Sequence, residues 1–198
     1  MTDVTLQQKE NNLLREQIAQ MKYYMVGSGA LKWQVQGASS GDTIYCEKDQ
    51  LHNIAAGLIE PVDVCVDIGP GLKPQRMIDA PAHLLVEPYK IYAEELIRRY
   101  PGKPVFNTDG VSFLKTLLPK SVDTIFLLDV IEHLEKEDGV ELLRLARQAA
   151  RRQIVIFTPV GFMPQHFEEM GDIWGDIKHG ETQNHLSGWK PDEFPEAI

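Results

Sequence analysis

Cysteine is scarce in this chain. Among 198 residues only Cys46 and Cys65 are thiols, too few for a disulfide framework or a zinc ribbon. Cys65 lies inside an apolar run and reads as a buried core thiol. Long apolar runs are missing too: none approaches the roughly 20 residues of a membrane-spanning helix. The first ten residues are polar and lack the basic-then-apolar layout of a signal peptide, so a cytoplasmic setting is expected. Positive charge is short, with 20 Lys and Arg against 29 Asp and Glu and a net charge of −9. That balance disfavours nucleic acid, whose phosphates require clustered Lys and Arg. Otherwise the composition is ordinary: 43% hydrophobic and 25% charged residues exclude gross disorder and collagen-like repeats. The length suits one domain with a small appendage.

Residues Thr5 to Met25 contain no Gly or Pro and read as a helix. Leu14, Ile18, Met21 and Met25 form a narrow apolar seam. It would pack on the domain or, as a homodimer contact, on a second copy. Gly27 to Gly41 reads as a loop with one short extended piece, and Tyr45 to Ile59 as a second helix stopped by Pro61. From there strands alternate with helices. Strands are expected at Val62–Ile68, His83–Val86, Val105–Asn107, Asp123–Asp129 and Arg152–Thr158. Helices are expected at Tyr89–Tyr100, Val111–Leu118 and Glu137–Ala150, the last with Val140, Leu143 and Ala146 or Arg147 on one side. Such alternation predicts an α/β fold with a parallel sheet and right-handed crossovers. The tail from Gly161 reads as loop, with a helix start at Pro191–Phe194.

In an open parallel sheet ligands bind beyond the carboxyl ends of the strands. Four expected strands end in or next to an acid: Asp67, Glu87, Asp109 and Asp129. Carboxylates there cost free energy unless paired or solvated, which points to a cationic or hydroxyl-rich ligand. After the first strand comes Asp67-Ile68-Gly69-Pro70-Gly71, where the glycines allow close approach of a ligand. A dinucleotide fingerprint needs a third glycine where Pro74 stands, and Asp67 would repel a pyrophosphate. This argues against the competing reading of a nicotinamide oxidoreductase. The absence of a G-K-[ST] run excludes a P-loop.

Taken in order, these landmarks resemble the class I S-adenosylmethionine-dependent methyltransferases over about Val62 to Phe162. Asp67 to Gly71 is similar to the family's first motif, Glu87 to its acid after the second strand, and Asp109-Gly110 to its adenine-contacting position. Asp129-Val130-Ile131-Glu132-His133-Leu134 is similar to its motif after the fourth strand. The resemblance implies a Rossmann-like sheet with helices on both faces, order 3-2-1-4-5, and S-adenosyl-L-methionine as cofactor. It implies that Gly69, Pro70 and Gly71 admit the methionine part and that Asp67 orients its amino group. It further implies that Glu87 holds the ribose hydroxyls, that Pro88 and Tyr89 pack on adenine, that Asp109 and Gly110 meet the adenine edge, and that Asp129 lies near the transferred group. His133 is the leading candidate for a general base toward an acceptor hydroxyl.

The expected organisation is an N-terminal helical extension over 1–60, a cofactor-binding core over 61–160 and an acceptor-side lid over 161–198. Two departures from the family stand out. Between Gly71 and His83, Pro74 and Pro81 leave little room for the usual crossover helix. After the fifth strand there is no sequence for a closing β-hairpin, so a trimmed sheet, one completed by a partner, or a fragment is expected. On the acceptor side His185, Ser187 and Trp189 are placed in the lid, Glu132 is expected to contact the acceptor or cap the segment after it, and His166, Trp174 and His179 are scattered through the tail. No spacing matches a metal site, and none is expected. The segments Phe157–Phe162 and His185–Trp189 are similar to bacterial methyltransferases associated with surface-polysaccharide biosynthesis, which implies a small-molecule or glycan hydroxyl as acceptor. The alternative is a methyltransferase-like domain that binds the cofactor, or acts as a scaffold, without turnover.

Overall fold

A computed structural model describes residues 33–36, 43–46, 48–164 and 183–194. The helix expected over Thr5 to Met25, with its dimer seam, and the side chains of His166, Trp174 and His179 lie outside them. The described elements are β1 (Trp33–Gln36), β2 (Thr43–Cys46), α1 (Lys48–Leu58), β3 (Val64–Ile68), β4 (Ala82–Val86), α2 (Lys90–Arg99), β5 (Val105–Phe106), α3 (Gly110–Lys115), β6 (Val122–Leu128), α4 (Lys136–Ala149) and β7 (Ala150–Phe157). One-turn 3-10 helices occupy Ile131–His133 and Pro191–Glu193.

β3 to β7 form a five-stranded sheet in the order β5-β4-β3-β6-β7, with every neighbouring pair parallel. Counted along the core strands this is 3-2-1-4-5, so the chain reverses direction across the sheet between β3 and β6. Both faces are covered, and the side chains divide between them with period two. Val66, Ile68, Ile125, Leu127, Ile154 and Ile156 belong to the larger core, shared with Leu142, Leu145, Ala146 and Ala149 of α4. Cys65, Phe126 and Val155, the alternate residues, pack with Ile59 and Val62 on the opposite face. Cys65 is fully buried, and burial pushes its thiol up to about 12. No helix among the described residues is long and apolar enough to cross a membrane.

The amino end of the sheet is closed by a structural acid. Asp123 accepts hydrogen bonds from the backbone of Asp63 and Val64 at 3.1 Å each and from Arg151 Nε at 2.8 Å. At the opposite end the abbreviated crossover from β3 to β4 has no helix. Buried Gln75 stitches it instead: its side-chain oxygen accepts from Met77 and Ile78, and its amide donates to the Ile78 carbonyl.

Three local expectations change. Tyr45 and Cys46, assigned to helix from sequence, belong to β2, which pairs antiparallel with β1. The alternating Thr-Ile-Tyr-Cys run is a strand pattern of period two, and helix begins only at Lys48. In α4 the buried face is Gly139, Leu142, Leu143, Leu145, Ala146 and Ala149, while Val140 is exposed. Trp189, expected in an acceptor lid, is only 2% exposed and belongs to the core. Its indole Nε1 donates to the Ile131 carbonyl at 3.1 Å and to Ser187 Oγ at 2.9 Å. Lys136 Nζ sits 3.5 Å above its ring.

Two helical glycines separate packing from propensity. A Cβ on Gly139 would meet Trp189 Cζ2 at 2.5 Å, whereas one on Gly57 would meet nothing within 4 Å. Gly139→Ala is therefore expected to lower stability by about 1–3 kcal/mol through overpacking, despite the helix preference for Ala. Gly57→Ala is expected to raise it by about 0.5–1 kcal/mol. Urea denaturation of both variants checks this; equal effects would show that Trp189 does not press on α4.

Candidate active site

The carboxyl ends of β3, β4 and β6 open onto two cavities. The first, about 350 Å³, is mainly apolar and includes Ile68, Gly69, Pro88, Asp109, Gly110, Val111, Val130 and Leu142 in its lining. The second, about 280 Å³, is more polar and includes Asp67, Pro70, Lys73, Asp129, His133, Met163 and His185. Gly69 stands at the turn that leaves β3. Its φ of +65° is left-handed, and a Cβ there would lie 3.0 Å from Val130, so both backbone and packing require glycine.

Asp67 is the buried acid of the polar cavity, 1% exposed. Its Oδ2 accepts from the Gln75 backbone N–H at 2.7 Å. His83 Nε2 lies 3.5 Å from the same oxygen, at ion-pair distance without completing a hydrogen bond. Lys103 Nζ approaches His83 Nδ1 at 2.7 Å from the other side and, as a donor, leaves the ring proton on Nε2, facing Asp67. Sequence reasoning missed Gln75, His83 and Lys103, since nothing local to them signals the contact.

Glu87, 4% exposed, reaches neither cavity directly. Its two oxygens accept from Gly71 N at 3.0 Å and Tyr89 N at 2.9 Å. The carboxylate thus pins the Gly71 turn to the start of α2. Burial pushes it up to about 7, against the pull of those two hydrogen bonds. Asn107 fixes the same corner by donating to the Glu87 and Pro88 carbonyls at 2.9 Å each. Asp109 caps α3, accepting from Ser112 N at 2.8 Å, while its residue also lines the apolar cavity. Tyr89 packs edge-on against Tyr92.

After β6 the chain turns sharply at Asp129, a non-glycine residue with φ +52°. Asp is among the few side chains that tolerate this region. Asp129 is exposed at the wall of the polar cavity, and desolvation by its surroundings raises its pKa against the opposing pull of the Glu132 carboxyl. Glu132, on the 3-10 turn, is 2% exposed. Burial first, then the charge of Asp129, raises its pKa. The Asp129 carboxyl and the Thr158 hydroxyl both approach it and bear on its protonation, although neither carboxylate oxygen reaches full hydrogen-bond geometry.

The segment 183–189 returns across this turn. Leu186 N and Ser187 N donate to the Glu132 carbonyl at 2.8 and 3.1 Å, and Ser187 Oγ donates to the Ile131 carbonyl at 3.0 Å. This docking sets His185 beside His133, with ring centroids 4.9 Å apart. His133 Nδ1 donates to the Asn184 carbonyl at 3.0 Å and His185 Nδ1 to the Met163 carbonyl at 2.6 Å. Burial lowers the His133 pKa, which favours the neutral ring. Of the acceptor-side set, His185 lines the cavity together with the candidate base His133, Glu132 lies buried beside them, and Trp189 lies in the core.

The fold is Rossmann-like. Among solved structures the chain is similar to a SAM-dependent methyltransferase from Archaeoglobus fulgidus, at 18% identity and TM-score 0.39 over 52% of this chain and 46% of that one. It is similar to a SAM-dependent methyltransferase from Leishmania major, at 22% identity and TM-score 0.45 over 55% and 47% of the two chains. A spermidine synthase in complex with a transition-state analogue is similar at 8% identity and TM-score 0.32 over 64% and 52%. The chain spans about half the length of each of these structures. No family model and no curated protein matches it.

The raised pKa of Glu87 has a consequence for folding. Its ordinary value is 4.5 and its folded value is about 7. The unfolded chain therefore gives up this proton first as pH rises, and the stability linked to it, full below the unfolded value, is lost through the folded one. The stability difference between the parent and Glu87→Gln is expected to shift against the parent between about pH 5 and about pH 8. Thermal melts across that range check it; a constant difference would contradict the assignment.

Proposed function

We propose that this chain binds S-adenosylmethionine across the two cavities and catalyses methyl transfer to a hydroxyl of a small molecule or glycan. The observation that carries the reading is the pairing of an apolar cavity with an acid-lined one on either side of the Gly69 turn. Adenosine is flat and largely apolar, and Ile68, Val111, Val130 and Leu142 offer it matching surface. The methionine end carries an ammonium and a sulfonium, and Asp67 and Asp129 offer negative charge to both. Glu87 holds its share of the site through backbone, fixing the Gly71 turn and the start of α2 that flank the cavities.

When bound, S-adenosylmethionine supplies an electrophilic methyl group, whose C–S bond breaks with its electron pair left on sulfur as the acceptor oxygen takes the carbon. The chain's own part is alignment and charge. Asp67 fixes the amino group, its own position set by the Gln75 N–H. His133 keeps Nε2 unprotonated, because Nδ1 donates to the Asn184 carbonyl, and so offers a lone pair to the acceptor's proton. Support for a glycan acceptor comes from the two segments that carry the polysaccharide-enzyme likeness. They lie against each other, with Gly161 N donating to the Trp189 carbonyl at 2.6 Å.

Calorimetric titration tests the cofactor reading. S-adenosylmethionine and S-adenosylhomocysteine are expected to bind with a stoichiometry of one. Asp67→Asn keeps the oxygen that accepts from Gln75 but removes the charge, and is expected to weaken binding by about 1.5–3 kcal/mol. No heat at millimolar ligand would overturn the reading. Binding without methyl release to any hydroxyl acceptor would favour the non-catalytic alternative, which the missing crossover helix motivates.

A further inference from the structure

We propose that Glu132, His133 and His185 form a binding site for a divalent transition-metal ion whose open coordination positions face the polar cavity. One potential ligand atom from each residue lies within 4.8 Å of the other two. An ion with bonds near 2.0–2.2 Å holds neighbouring donors roughly 3–4 Å apart, so small side-chain rotations close the set. Two independent features point to a cation. The first is Glu132: an acid 2% exposed with neither oxygen meeting hydrogen-bond geometry, which in its charged form is costly unless a positive charge meets it, so that a bound cation would take the place of the proton.

The second is the way the imidazoles are held. Each histidine donates Nδ1–H to a backbone carbonyl, His133 to Asn184 and His185 to Met163. This fixes both rings in the tautomer whose Nε2 carries a lone pair, and it is the outer-shell arrangement that orients metal-binding histidines. The backbone bonds from Leu186 and Ser187 to the Glu132 carbonyl then hold the two histidine-bearing segments together whether or not an ion is present.

One carboxylate and two imidazoles suit zinc, manganese, iron or cobalt in the divalent state better than calcium or magnesium, which take mostly oxygen donors. Three ligands from one side leave positions open, as in catalytic rather than structural sites. Because His133 and His185 line the cavity with Asp129, the remaining donors would be water or an oxygen of the molecule bound there. The site stands independently of the methyl-transfer reading. Where that reading holds, a metal ion on Nε2 makes His133 a ligand instead of a proton acceptor, and the ion lowers the pKa of an oxygen bound to it. No metal was expected from sequence, because His185 lies far along the chain from Glu132 and His133.

The test is a Co²⁺ titration of the full chain after chelator treatment, followed by visible absorption and by thermal melting. The expected result is saturation at one Co²⁺ per chain, with d–d bands, a raised melting temperature and displacement by Zn²⁺. Glu132→Gln, nearly isosteric, and His185→Ala are each expected to weaken Co²⁺ binding by about tenfold or more. His52→Ala, on the exposed surface of α1, is expected to leave it unchanged. No bands and no thermal shift in the parent would overturn the site. So would parent-like binding in a folded Glu132→Gln or His185→Ala variant. S-adenosylmethionine titration of the same samples separates the two claims: lost cofactor binding with intact Co²⁺ binding sinks the methyl-transfer reading alone.

Discussion

The carbonyls of Ile131 and Glu132 hold this site together. They accept hydrogen bonds from Trp189 Nε1, Ser187 Oγ, Leu186 N and Ser187 N, and so fasten a late segment of the chain to the turn that follows β6. Without that docking His185 has no reason to lie near His133, and the polar cavity loses a wall. The indole is fixed from three other directions: α4 comes close enough at Gly139 to exclude a Cβ, Lys136 covers the ring, and Phe194 packs beside it. Trp189 acts at a distance from the chemistry, as the fastener that makes the chemistry's geometry possible.

A second constraint works from the sheet. Parallel strands bring their carboxyl ends to one edge, where Asp67 stands near the end of β3 and Asp129 follows β6. Each acid is handled differently. Asp67 is buried and supported by Gln75 and the His83–Lys103 pair. Glu87 is spent on backbone. Asp129 is held in a left-handed turn and open to the cavity. Glu132 is buried without a well-formed hydrogen bond of its own, beside Asp129 and the two histidines. In that setting either a proton or a bound cation would balance its charge.

Much of this was legible in the residues. The apolar stretches expected as strands at Val62–Ile68, Asp123–Asp129 and Arg152–Thr158 announce buried strands, because a sheet covered on both faces needs no polar alternation. The acids at strand ends follow from the same register. What could not be read was whatever depends on contacts between distant segments. Trp189 looked like a lid residue because its partners, Ile131 and Gly139, are far away in sequence. Val140 looked inward because a stepping pattern of apolar residues tolerates more than one helix face, and packing against β7, α3 and Trp189 chose the one with Leu142 and Ala146. The role of Gln75 in place of a crossover helix, and the meeting of His133 with His185, likewise carry no local signature.

A structure of the chain with S-adenosylhomocysteine bound tests the central claim most directly. The account predicts adenine against Val111, Val130 and Leu142, with the amino group at Asp67 and the sulfur turned toward Asp129 and His133. Adenine lodged elsewhere, or an amino group out of reach of Asp67, would contradict it.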